Sequence, residues 1–492
     1  MDYEKSTVPA PDSRSLASSS TKRYGGDDAS LADSVRTTSH IASDGLDTVA
    51  LPYRTLTENA PMEEYAAETA EGTLARRVFS NKTGKTERYE TVTFTPGDPE
   101  NPKNWSKAYK WWCTMTVAVT CFAVALNSAI VTADIGGPVK AFRVSEEVAL
   151  LSISLFVVGF GVGPMAFAPL SEIVGRRPIY ASTLLVAVVF IVPCAVAKNI
   201  ATLLVCRLID GVAFSAPMTL VGGTLADLWH PEERGVPMAA FSAAPFIGPA
   251  MGPLIGGFVS DALGWRWLYW IQLIFSGFVY ILMTFTVPET YAPIILARRA
   301  KKMRAESGLD KYVTEQDLDM RPLSERLRIF LFRPFQLLFR EPIVFFISLY
   351  MSVLYGLLYM FFVAFPVVYQ EGKGYTAGIT GLMFIPTAIG VLLSAFCAPF
   401  VNKHYLTLVA KHGGKPPAEA RLVPMMVSCW FIPIGLFIFA WTSYPRVHWI
   451  GPAIGGFPVG FGFIFLYNSA NNYLVDSYQH QAASALAAKT FM

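Results

Sequence analysis

The feature that most constrains this chain is a succession of ten apolar runs, each near the ~20 residues that a helix needs to cross a bilayer. They occupy residues 111–133, 148–168, 179–197, 201–226, 236–259, 267–288, 343–369, 378–400, 423–442 and 449–474. Their length and number exclude a buried soluble core. The charged fraction is 16%, where a soluble protein carries roughly a quarter. The expected fold class is therefore an all-α polytopic membrane protein.

Charge placement sets the orientation. From residue 101 onward there are 29 Lys and Arg, and 21 of them fall on one side of the bilayer if the N-terminal segment is cytoplasmic, against six on the other. Basic residues favour the cytoplasmic face, so the N-terminus is expected inside, most simply at the plasma membrane. The sequons at Asn81 and Asn104 then face the cytoplasm. Residues 1–107 hold 15 Ser or Thr in their first 50 positions and show no sustained apolar periodicity, the composition of a disordered tail. A six-helix bundle follows at 108–289, a cytoplasmic central loop at 290–341, and a partial helix bundle at 342–492. The loop opens on ILARRAKKMR, a basic stretch suited to an anionic leaflet or simply to fixing topology.

Several functions lack support. No GxxxxGK[ST] motif is present, so ATP-driven pumping has no basis, and no His/Cys cluster suggests a metal. The six cysteines all lie in apolar runs and read as small hydrophobes. No cofactor and no enzymatic activity are expected, and a net charge of +3 gives no ground for a nucleic-acid partner. The opening MDYEKSTVPAPDSRS lacks a signal-peptide core, so the first span is expected to serve as an uncleaved anchor.

Arg207 is the single Lys or Arg inside the ten runs. A charge there is costly and must face protein or a water-filled cavity, which makes it a functional candidate. A faint repeat also runs through the chain. Ala168-Pro169-Leu170-Ser171-Glu172 follows the second run, and Ala398-Pro399-Phe400-Val401-Asn402 follows the eighth. Gly223 precedes Asp227 as Asn472 precedes Asp476. Two related halves would place a substrate cavity between them.

Four segments carry a family resemblance: APLSEIVGRRP at 168–178, LLVCRLIDG at 203–211, GPAMGPLIGG at 248–257 and VPETYAP at 287–293, with NPKNWS at 101–106 adding support. Together they resemble the major facilitator superfamily, and within it the twelve-span drug:proton antiporters of fungi, from about residue 100 to the end. The resemblance implies two six-helix bundles, the second incomplete here, with ten full spans and the start of an eleventh.

The first segment is similar to the superfamily's loop signature. It implies a cytoplasmic lock of Glu172, Gly175, Arg176 and Arg177, with Asp227 as partner of Arg176. In the second, Arg207 takes the place of an arginine implicated in proton coupling, and Asp210 stands where glutamine is frequent. At i and i+3 the two can touch, either as a pair whose carboxylate changes protonation or as a neutralising structural pair. The third, with Gly248, Pro249, Gly252, Pro253, Gly256 and Gly257, is similar to the signature typical of antiporters. Glycines every four residues form a smooth face for close helix approach. VPETYAP supports the resemblance and implies little chemistry. Asn127, Asp134, Tyr355, Tyr359, Phe362 and Asn468 are candidates for lining the cavity, though the aromatics also suit ordinary packing.

The function expected is secondary active transport by a monomer, with protons and a small-molecule substrate (a drug, toxin or secondary metabolite) exchanged across the bilayer in the direction of export. The alternatives are an uptake symporter for a nutrient or polyamine and a non-transporting truncated copy. Truncation is expected because AASALAAKTFM, after the tenth run, gives only roughly 16 Å of helix where a crossing takes about 30 Å.

Overall fold

Helices recur wherever the apolar runs predict them. The computed structural model describes residues 64–67, 74–80, 86–230, 233, 235–308, 312–314, 323–411, 418–478 and 482–492. Among these, ten helical segments are long and apolar enough to cross a membrane: Lys107–Ala133, Glu146–Val174, Arg176–Ala195, Ile200–Leu228, Ala244–Leu263, Arg266–Thr286, Pro342–Glu371, Ala377–Val401, Glu419–Thr442 and Ile450–Tyr478. We call these spans one to ten.

Short polar residues cap the starts of spans one, four and eight. Tyr109 N donates to Ser106 Oγ at 3.4 Å, Thr202 N to Asn199 Oδ1 at 2.8 Å, and Ile379 N to Thr376 Oγ1 at 3.4 Å. Each bond satisfies an N–H that has no partner within the helix. Gly175 separates spans two and three at φ 110°, and Gly264 separates spans five and six at φ 86°. A side chain at either position would be strained. Span seven ends in a π-helical turn, Val367–Glu371.

Each half has a large apolar core, and a third, smaller cluster joins Leu337, Leu338, Val344, Leu474, Ala485 and Ala488. The first gathers Val117, Phe156, Leu184 and Phe214 from spans one to four, and the second gathers Leu358, Phe365, Phe384 and Phe463 from spans seven, eight and ten. Spans two and four pack together as spans eight and ten do, and spans three and four as spans nine and ten do, the pairing that two related halves require. The halves meet at span five. At the end opposite the central loop it packs against the start of span eight, while on the loop side the terminal helix Ala482–Phe491 and the amphipathic helix Leu323–Arg340 pack against span two.

Most of the 1–107 tail lies outside the described residues. Three described strands of it join a small sheet with the central loop. Strands β1 (Glu64–Ala67), β2 (Leu74–Ser80) and β3 (Thr86–Val92) pair antiparallel in order, with Leu74 opposite Val92, and β3 runs parallel to β4 (Tyr312–Val313) of the central loop. β1–β2 and β2–β3 are neighbouring antiparallel pairs, while β3–β4 is non-local, and strands this short give helical periodicity no hint of the sheet. Asp98 then binds Arg299 of the loop helix Ala292–Ser307 at 2.5 Å. Burial pushes the Asp98 carboxyl up, but hydrogen bonds from Arg299 and from the Glu100 N–H outweigh it and hold the group below its ordinary value.

Candidate functional site

The guanidinium of Arg207 sits at the centre of the first half, fully buried on span four. Nε donates to the Ser152 carbonyl of span two at 3.2 Å. Nη1 and Nη2 donate to the Asn127 carbonyl of span one at 3.4 and 3.3 Å. That carbonyl lies just before the helix tightens into the 3-10 turn Ile130–Ala133, where the helical hydrogen-bond ladder changes register. Gln272 of span six donates to the same carbonyl at 3.3 Å, and Asn127 Nδ2 donates to Ser276 Oγ at 2.7 Å. Below the guanidinium lies the Phe156 ring, 4.3 Å from its centroid.

Asp210 touches Arg207 at 3.5 Å through Oδ2 alone. The i,i+3 contact therefore forms, but as a long single-point one and not the two-toothed grip that a guanidinium and a carboxylate favour. The Arg207 nitrogens go mainly to main-chain carbonyls. Four buried polar atoms around this cage have no hydrogen-bond partner: Asn127 Oδ1, Asp210 Oδ1, Tyr269 OH and Gln272 Oε1. Gln272 and Tyr269 were not legible as site residues, since both are uncharged groups in an otherwise ordinary apolar run.

The loop between spans two and three brings Arg176 to Asp227 as its sequence implies, at 3.5 Å. Arg176 Nη1 also donates to Ser171 Oγ at 2.5 Å, and its guanidinium lies 5.0 Å from the Tyr291 ring. Gly223 makes room for it: a methyl there would sit 2.5 Å from Arg176 Nη2. Arg177 donates to the Thr284 carbonyl at 3.0 Å.

The carboxylate that anchors this loop is Glu289 of VPETYAP, in a segment that implies little chemistry as sequence. Its Oε1 accepts from the main-chain N–H groups of Arg176, Thr290 and Tyr291 at 2.9, 3.1 and 3.0 Å, and Oε2 accepts from Arg177 N at 3.3 Å. An acid at the unpaired N–H groups of a helix start satisfies them and meets a favourable dipole. Glu172 lines a small cavity with Pro169, Pro334 and Ala487, at the meeting of span two with the two loop-side helices. The second half repeats the device: Arg421 at the start of span nine binds Asp476 at the end of span ten at 2.8 Å, and Tyr405 donates to the same carboxylate at 3.4 Å.

On span five, Gly248, Gly252 and Gly256 face span one. Methyl groups on them would lie 2.6 Å from Ala125 Cβ, 2.9 Å from Ile130 N and 2.7 Å from the Ile130 carbonyl. Gly257 faces the other half instead, against Ala377 and Gly378. Pro249 and Pro253 lie within the helix, and the carbonyl of Pro253 packs on Gly381. Asp261, another residue the sequence does not flag, accepts from Ala377 N and Gly378 N at 3.2 and 2.7 Å, tying span five to the start of span eight.

The remaining candidates separate. Tyr359 reaches across the halves and donates to Ser128 Oγ at 3.2 Å. Tyr355 packs edge-on against Phe463, with centroids 5.1 Å apart. Phe362 is buried in the second core against Phe384. Asn468 is half-buried on span ten. Asp134 lies past the end of span one, where it accepts from Gly137 N at 2.7 Å and from Ser260 of span five.

Comparison with known proteins agrees with this fold. The sequence profile of the Major Facilitator Superfamily matches residues 113–492. An MFS-type transporter of Penicillium rubens, paaT, is 65% identical over 467 residues, covering 94% of this chain and 85% of that protein. The major facilitator superfamily multidrug transporter mdrA of Aspergillus fumigatus is 42% identical over 406 residues, covering 82% and 67%. In fold, the chain is similar to the partially occluded inward-open xylose transporter XylE of E. coli, with a TM-score of 0.57 at 15% identity over 78% of this chain and 89% of that one.

Proposed function

Because the chain belongs to the major facilitator superfamily, we propose that it is a proton-coupled antiporter that exports small organic molecules. The observation that carries this reading is the Arg207–Asp210 pair. An arginine held in hydrocarbon is costly, and here it is held by groups from spans one, two and four beside a carboxylate with one unpaired oxygen. A proton arriving at Asp210 Oδ1 cancels the charge that faces Arg207. The guanidinium then leans on the Asn127 and Ser152 carbonyls alone, which shifts the balance among the spans that share it. Protonation and helix arrangement are thereby linked, as exchange between two access states requires.

The glycine face of span five supports antiport, because it joins spans one and five tightly while Gly257 borders the other half. The likeness to a multidrug transporter supports export. The basic residues support an N-terminus and central loop in the cytoplasm.

Expression in an efflux-deficient host, with toxic compounds screened for resistance, identifies a cargo. Proteoliposomes with an imposed pH gradient then measure its flux. Asp210→Asn and Arg207→Lys should each cut gradient-driven flux by about tenfold or more with insertion unchanged, since one removes the titrating group and the other the planar fork. Unchanged pH dependence in Asp210→Asn would move the coupling role elsewhere.

A further inference from the structure

Each guanidinium held within the bundle has a carboxylate beside it: Arg176 has Asp227, Arg207 has Asp210, and Arg421 has Asp476. The buried lysines have no such carboxylate among the described residues: Lys110, at the start of span one, donates to the Lys103 carbonyl at 2.6 Å, and the other is Lys489, on the terminal helix Ala482–Phe491. It is 7% exposed. Its Nζ donates to the neutral Asn471 Oδ1 at 2.5 Å and lies 4.2 Å from the centroid of the Tyr467 ring. Among the described residues no carboxylate reaches it, and one of its three N–H donors is used by a side chain. A buried cation with an amide and a ring as its surroundings is under-compensated, and an anion brought to it supplies what the described residues do not.

The ammonium lies beside a cluster of aromatic rings. Tyr467 packs against Phe246 of span five at 5.1 Å and Tyr355 of span seven at 6.2 Å, and Phe463 packs against both at 5.4 and 5.1 Å. Phe246 belongs to the first half and the other three to the second. The ammonium therefore borders an aromatic junction between the halves, where access alternates.

We infer that Lys489, Asn471 and this aromatic group form the anion-recognising part of the substrate site, and that the cargo is an organic anion with an apolar or aromatic body. The inference rests on the reading of the chain as a small-molecule transporter and narrows its substrate class. Lys489 takes the carboxylate, Asn471 orients the ammonium, and the rings cover the body. The same charge disfavours cationic compounds, which gives selectivity by repulsion as well as attraction.

The test is equilibrium binding to the purified chain in detergent, without a pH gradient. The probes are radiolabelled benzoate, its neutral isostere benzamide, and the cation benzylammonium. The native chain should bind benzoate more tightly than benzamide, by about tenfold, and benzylammonium least. Lys489→Met should lower benzoate affinity by about tenfold and leave benzamide unchanged. Lys489→Arg should restore most of it. Asn471→Asp keeps the lysine but gives it an internal counter-ion, so it should weaken benzoate as Lys489→Met does, and it reports even if Lys489→Met does not fold. Equal binding of benzoate and benzamide by the native chain overturns the inference, as does unchanged benzoate affinity in both variants. A benzoate preference without gradient-driven flux sinks the exporter reading alone. Gradient-driven flux of neutral or cationic compounds without that preference sinks the anion site alone.

Discussion

A single carboxylate holds the start of span three. Glu289 collects four main-chain N–H groups, two of them 112 and 113 residues earlier in the chain, so it ties spans two, three and six together at one point. Glu289→Ala leaves those donors without their acceptor, at a cost of about 1–3 kcal/mol, and Glu289→Gln, which keeps a neutral acceptor oxygen, should cost less. Thermal unfolding in detergent should show both falls in that order, and an unchanged midpoint in Glu289→Ala would remove the anchoring role. Residue by residue, legibility tracks how local the chemistry is. Arg176, Asp227, Arg207 and Asp210 are readable because a charge inside or beside an apolar run is conspicuous in one dimension. Glu289, Asp261 and Gln272 are ordinary residues in the sequence, and only the fold brings them to what they bind.

The ten spans were legible because a helix in hydrocarbon must satisfy its own backbone, so length and hydropathy decide it. The β-sheet was not, because its strands are only 4, 7, 7 and 2 residues long and β4 joins β3 from beyond the first six spans. Span five shows how an element's pattern becomes a contact. The four-residue glycine spacing fixes that a smooth face exists, while the structure assigns it to span one and turns Gly257 toward span eight. Gly252→Leu should therefore push two backbones apart, with an overpacking cost of typically 1–3 kcal/mol, and should strongly reduce transport. Gly277→Leu on span six is the matched control, since a methyl at Gly277 meets nothing within 4 Å. Flux assays on the two variants should separate them, and equal flux would leave the packing face without a role.

For the whole molecule, the pairing of spans two with four and eight with ten makes the faint sequence repeat a structural one. The orientation is a matter of charge. Single cysteines replacing Lys302 and Arg446, both exposed, in a background freed of native cysteine, should differ on intact cells treated with an impermeant thiol reagent: labelling at 446 and none at 302. The reverse pattern would invert the topology. With that orientation, the seal made by Asp261 and Gly257 against Ala377 and Gly378 faces the outside. The two sides of the membrane then see different molecules. A compound added to the medium binds through the copies whose seal is broken, and its apparent dissociation constant is its intrinsic one divided by the fraction of such copies. Each 1.4 kcal/mol in the seal weakens such a compound about tenfold without altering any atom that it touches, so weakening the clasp at Asp261 sharpens inhibition from outside while the binding residues stay as they are.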